Sequence, residues 1–361
     1  MKLSFRSILR CACAVGAWLL TVSPGYGILV QFDYSYDAAN GNFFGQNPTA
    51  KAALDAAAAD VSSLISTQLG AVPTDVFTGT ANGATVKFDW SLSYPNPATG
   101  ATVTLANFTL PTDTVTIRIG MRPLAGNVVS ASAPSTATLL PSIVTSSSSY
   151  ASATAAAQAA SNAVMARGSD PIMGSVSGSF ADASYNAKYG NFGGSIWFDN
   201  DRDNNGLADS NASLTDYWHL DSNAPVESGK YDLYTAATRE MIKVLGFGAS
   251  QSWRALAAGT SWTGQNVDRL FGGATANLIT TDGYVTPGLT GVRFADGTSQ
   301  EALLVPTMPI GTRRFATTLD AAFLKDIGYQ TVPEPGAGAA LSVGAAMLAG
   351  MRRRRSSLAG R

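Results

Sequence analysis

Glu240 stands between two cations, with Arg239 directly before it and Lys243 one helical turn after it. A carboxylate so placed can serve as a general base, with the arginine or the lysine steadying an oxyanion. The same three side chains can equally be charged groups on a solvated helix face. There the like charges at i,i+4 cost roughly a few tenths of a kcal/mol, and the Glu240–Lys243 spacing of three offsets about as much. Neither cation is a metal ligand in its ordinary state. Arginine keeps its proton at any accessible pH, and lysine ligates only with its pKa strongly depressed.

The element that must position these groups is the stretch 231–250, which reads as one helix. Leu233, Ala237, Met241 and Val244/Leu245 recur at helical spacing and face a core. Gly246 and Gly248 flank Phe247 where a helix needs a left-handed stop.

A second candidate lies upstream. From Asp201 the chain reads D-x-D-x-N-G-x-x-D, the first nine positions of a calcium loop. Asp201, Asp203, Asn205, the Leu207 carbonyl and Asp209 would supply oxygens, with Gly206 making the sharp turn. The twelfth position holds Ala212 rather than a bidentate glutamate. An acidic Asn/Gly turn that needs no ion is the other reading. His219 is the single histidine of the chain. Zinc sites are built from His nitrogen or Cys sulfur, so one such residue argues against a tight zinc site.

The layout of 231–250 resembles the active-site helix of zinc metalloproteases, where H-E-x-x-H sets two histidines one turn apart and the glutamate acts as base. The x-L-G-F-G that follows is similar to the helix end of metzincin-like enzymes, whose third ligand lies three residues beyond the glycine. On this chain the ligand positions hold Arg239, Lys243 and Ala249, and Glu240 alone remains. Further segments resemble PEP-CTERM-associated metalloprotease-like proteins. They are an opening strand over 28–36 with an alanine-rich helix over 47–69, the Arg293-Phe stretch where the family has His before Phe, and the closing helix over 318–329. The segment 304–309 resembles the methionine turn, with Met308 in that role. The resemblance implies an α+β fold of zincin-like type, a mixed sheet with an active-site-type helix. It also implies a catalytically inactive member, with no cofactor expected at the former zinc site.

Between these segments, 84–92 and 101–110 alternate as a hairpin around a Pro/Asn/Gly turn, and 115–121 is a further strand. The Ser/Thr/Ala-rich stretch 130–149 reads as an exposed loop or weak linker. A second alanine-rich helix spans 151–167, and 193–199 reads as an edge strand, which in zincins lines the substrate groove.

The ends concern sorting. Lys2, Arg6 and Arg10 precede an apolar run over 11–22 and a small-residue site ending at Gly27, the pattern of a secretory signal. Cys11 and Cys13 would leave with it, so the mature chain would carry no thiol. At the other end, Pro333, Glu334 and Pro335 precede an apolar run over 337–351 and four arginines over 352–355. This resembles the PEP-CTERM sorting signal. It implies an exosortase-type protease as partner, and membrane contact through this segment before processing. Arginines held on the cytoplasmic side would leave the large domain outside the inner membrane. A permanent anchor is the alternative.

The expected division is therefore a signal peptide at 1–27, a zincin-like domain at 28–331 and a sorting segment at 332–361. A net charge of −1 gives no electrostatic reason for a nucleic-acid partner. The expected protein is exported to the cell envelope or extracellular surface of a Gram-negative-type bacterium, with a binding or structural role. The alternatives are an active secreted peptidase using Glu240 with a metal site not recognised in the sequence, or a calcium-dependent adhesion protein using the Asp201–Asp209 loop.

Overall fold

The computed structural model describes residues 27–73, 76–168, 171–273 and 275–332. Residues 1–26 of the expected signal peptide, with Cys11 and Cys13, and Pro333, Glu334 and Pro335 of the expected sorting segment lie outside the described residues.

The chain opens with strand β1 (Leu29–Asp33), the single-turn helices α1 (Ser35–Ala38) and α2 (Phe43–Gln46), and the long helix α3 (Pro48–Ser63). Strands β2 (Val76–Ala81), β3 (Ala84–Pro95), β4 (Thr102–Ala106), β5 (Thr114–Arg122), β6 (Ser130–Pro134) and β7 (Thr136–Thr145) follow. Helix α4 (Ala151–Met165) leads to β8 (Gly174–Phe180), β9 (Ala183–Tyr189) and β10 (Gly194–Asp199). Five helices, with short two- and three-residue strand pairs between them, complete the described chain: α5 (Asn211–Tyr217), α6 (Leu233–Val244), α7 (Gln251–Leu256), α8 (Gln265–Leu270) and α9 (Thr318–Asp326). The fold is α+β, and among the described residues no helix is long and apolar enough to cross a membrane.

A mixed sheet of order β1-β5-β10-β6 carries the site. Its first three strands are parallel, and β6 pairs antiparallel with β10. Alternation along the strands splits the two faces. Val115, Ile117, Ile119 and Met121 of β5, with Ile196 and Phe198 of β10, join the larger core beneath α3 and α6. Arg118 and Gly120 turn to the other face, against Tyr94 and Pro97 of the β3–β4 hairpin.

The second sheet is antiparallel and organised on β3. Strand β7 runs along one side of it, while β2 and then β4 share the other. Every second residue of β3, from Ala84 through Phe88 and Trp90 to Tyr94, is buried. Helix α4 covers this sheet so closely that a Cβ on Gly79 would stand 2.1 Å from the Ala157 nitrogen. Trp90 Nε1 donates to Ser161 Oγ across that contact at 3.0 Å.

Arg167, just past α4, is a fixed point of the fold. Its backbone is left-handed, with φ +57°, and its side chain is fully buried. The guanidinium donates to four carbonyls, those of Gly70, Pro111, Thr114 and Asn191. Burial pushes its pKa down to about 10.

Four expectations change here. Most of the stretch 130–149 forms two strands, β6 and β7, because pairing to β10 and β3 supplies the order that its small side chains do not announce. The strand over 193–199 is interior, since β6 lies outside it. The first strand stops at Asp33, where a helical turn begins, and the first long helix ends at Ser63.

Candidate functional site

Helix α6 begins at Asp232, whose carboxylate accepts from the Thr235 backbone N–H at 3.0 Å and from Thr235 Oγ1 at 2.6 Å. Arg313 anchors the same carboxylate at 2.8 Å. The helix closes with a Schellman motif: Phe247 N donates to Ile242 O, and Gly246 N to Lys243 O. Gly246 sits at φ +111°, and a Cβ there would meet Ser250 Cβ at 2.9 Å. All of α6 except Lys243 is buried.

That burial overturns the solvated-face reading of Arg239, Glu240 and Lys243. Glu240 is 1% exposed. The helix face that carries it lies against β6, and two serines of that strand reach its carboxylate. Ser130 Oγ donates to Oε1 at 3.1 Å and Ser132 Oγ to Oε2 at 2.6 Å. The serines are two residues apart and so share one face of the strand. Lys243 Nζ donates to Oε2 at 2.8 Å. Arg239 Nε stands 4.0 Å from Oε1, while Arg239 Nη2 donates to the Pro306 carbonyl at 3.0 Å. The Tyr284 ring faces both cations, 5.1 Å from the guanidinium carbon and 5.6 Å from Lys243 Nζ. Its π face supplies negative potential to a group whose two cations outnumber its one carboxylate.

Burial by itself would raise the Glu240 pKa. The charges of Lys243 and Arg239, with the hydrogen bonds from Lys243 and Ser132, outweigh it and hold the carboxyl below the usual carboxylate range. Glu240 is thus an ionised carboxylate occupied by internal partners. A base for water would need a free lone pair and an electrophile to activate that water.

The residues do not fit zinc. Arg239 and Lys243 bring protons rather than lone pairs, and Ala249 brings a methyl group in the turn that closes α6. Met308 is half-buried against the main core, in the segment whose Pro306 carbonyl receives Arg239. The structure joins Arg239, and through it the Glu240–Lys243 pair, to that segment at the Pro306 carbonyl. It adds Ser130, Ser132 and Tyr284, which sequence reasoning missed. The one signal for the serines was their spacing of two within a stretch read as loop.

The acidic loop is built on itself. Asp201, 2% exposed, accepts from the Asn205 and Gly206 N–H groups at 2.9 and 2.7 Å. Asp203 accepts from Asn205, and Asp209 from the Arg202 N–H. Gly206 turns the chain at φ +85°. Among the described residues no three His, Cys, Asp or Glu side chains gather as a metal-ligand set. His219 is buried, its Nε2 2.8 Å from the Asp221 carbonyl, and belongs to no such cluster. Compared with protein-family models, curated proteins and solved structures, the chain matches none.

Proposed function

We propose that this is an exported, envelope-sorted protein with a zincin-like fold that has lost its metal and acts by binding or as a structural component. The single observation that carries the reading is the internal occupation of Glu240. Lys243 holds its carboxylate at the position expected of one ligand, two serines of β6 fill the rest, and Arg239 binds the segment of the methionine-turn resemblance.

The parallel strands with an antiparallel edge strand beside α6 also support the zincin-like assignment. In that assignment the groove-lining role passes from β10 to β6. Proteolysis in such folds needs a metal to acidify water and polarise the carbonyl, and these side chains supply no site for it.

The test is metal content and peptidase activity of the purified protein, beside a variant with Arg239→His, Lys243→His and Ala249→His. No zinc and no cleavage in the natural protein, with stoichiometric zinc in the folded variant, is the expected result. Stoichiometric zinc in the natural protein, or cleavage abolished by Glu240→Gln, would overturn the reading.

A further inference from the structure

A second site lies away from α6, outside the carboxyl ends of the parallel strands. A cavity of about 310 Å³ opens there, lined by Arg122, Asn200, Asp209, Asn211, Asn40 and Phe43 among others. Arg122 is the last residue of β5, and Asn200 follows the last residue of β10. In sheets with parallel strands this crevice is where ligands commonly bind, and the size suits a monosaccharide-sized molecule.

Arg122 carries the argument. Its guanidinium carbon lies 4.1 Å from the centre of the Trp197 ring. Its Nη1 presses on Gly100 so closely that a Cβ there would stand 2.1 Å away. The guanidinium is therefore held in place, yet among the described residues it makes no hydrogen bond and no ion pair, Asp209 included. Burial lowers its pKa, as expected for a cation losing water without gaining an anion. Arginines left in this state present a planar fork suited to a carboxylate.

The other polar groups are acceptors. Asn200 Oδ1 is buried without a partner. The amide nitrogen of Asn40 donates to the Tyr36 carbonyl, and that of Asn211 to the Gly41 carbonyl and to Gln46 Oε1, so the oxygens of these two lining residues are the groups left to accept. Asp209 commits one oxygen to the Arg202 N–H.

We infer that this cavity binds a small carboxylate that also carries hydroxyl or ammonium donors, with the carboxylate on Arg122 and the donors on the amide oxygens and Asp209. Sugar acids and free amino acids share that chemistry.

Titration calorimetry on the purified protein with glucuronate, glucose and serine separates the cases. A carboxylate on Arg122 predicts that glucuronate binds about ten- to a hundredfold more tightly than glucose, and that Arg122→Gln removes this difference. Asn40→Asp, which adds a like charge at an exposed rim position, weakens glucuronate and spares glucose even if Arg122→Gln fails to fold. Serine binding that is lost in Asp209→Asn, without glucuronate binding, supports the same site with an amino acid as occupant. Equal affinity for glucose and glucuronate, affinity unchanged by Arg122→Gln, or no binding of either carboxylate at about 10 mM would overturn the inference.

Discussion

Ser132 Oγ, on the edge strand, donates to Glu240 Oε2, on the central helix, at 2.6 Å. This bond and its neighbour from Ser130 tie the sheet edge to α6 through a charged group that is itself 1% exposed. Lys243 and Arg239 complete the enclosure. The cluster behaves as a crosslink among three segments that adjoin nowhere in sequence: β6, α6 and the chain around Pro306.

Removing the carboxylate should therefore be costly. Glu240→Gln leaves Arg239 buried and Lys243 largely so, without a counter-charge, and is expected to destabilise by about 3 kcal/mol. Replacing the whole group, with Arg239→Met, Glu240→Leu and Lys243→Met together, should fall well short of that loss because no uncompensated charge remains. Urea unfolding of the two variants measures both. A triple variant less stable than the single one would rule out the ionic account.

Acid should act through the same carboxylate. The folded pKa of Glu240 lies below its unfolded value, so the stability it contributes is present above about pH 4.3 and is lost as pH falls through the folded value. The stability gap between the natural protein and Glu240→Gln should accordingly narrow on acidification below that point. Unfolding curves at a series of pH values test this, and a gap that widens in acid would contradict it.

Arg167 offers a cleaner case of a buried cation, since its partners are carbonyls rather than carboxylates. Arg167→Met should orphan four acceptors and cost about 3 kcal/mol or more. Arg167→Lys, with three donors in place of five, should recover part of the loss. A loss below about 1 kcal/mol in the methionine variant, read by thermal or urea unfolding, would show that water reaches these carbonyls.

Helix α9 starts with a capping box in which Thr317 and Asp320 bond reciprocally. Its Phe323 packs on Trp253 and Trp262, so fraying at this end would loosen a buried aromatic cluster. Thr317→Ala should cost about 1–2 kcal/mol, and Thr317→Ser distinctly less. Equal losses in the two variants, compared by denaturant midpoint, would place the effect in packing of the methyl group instead of in the cap.

Local rules made several elements legible in the sequence. The alternation of Ala84, Val86, Phe88, Trp90 and Leu92 specifies a strand with one buried face, and the Pro/Asn/Gly turn specifies its hairpin. The apolar spacing of 233–245 and the glycine after it specify α6 and its stop, and the segment 318–329 contains the whole of α9. The chemistry that Arg239, Lys243 and Ala249 cannot perform was also legible, because it depends on side-chain type alone.

What surrounds those side chains was decided only by the tertiary structure. Small residues such as Ser130, Ala131 and Ser132 carry little hydrophobic period, so their strand exists because β10 offers an edge to pair with. That pairing makes β10 interior, aims two hydroxyls at Glu240 and turns a charge run that suits a solvated face into a buried ion cluster. Arg122 and Asn200 meet at one cavity for the same reason. Hydrogen bonds between segments remote in the chain set their positions, and no local pattern encodes them.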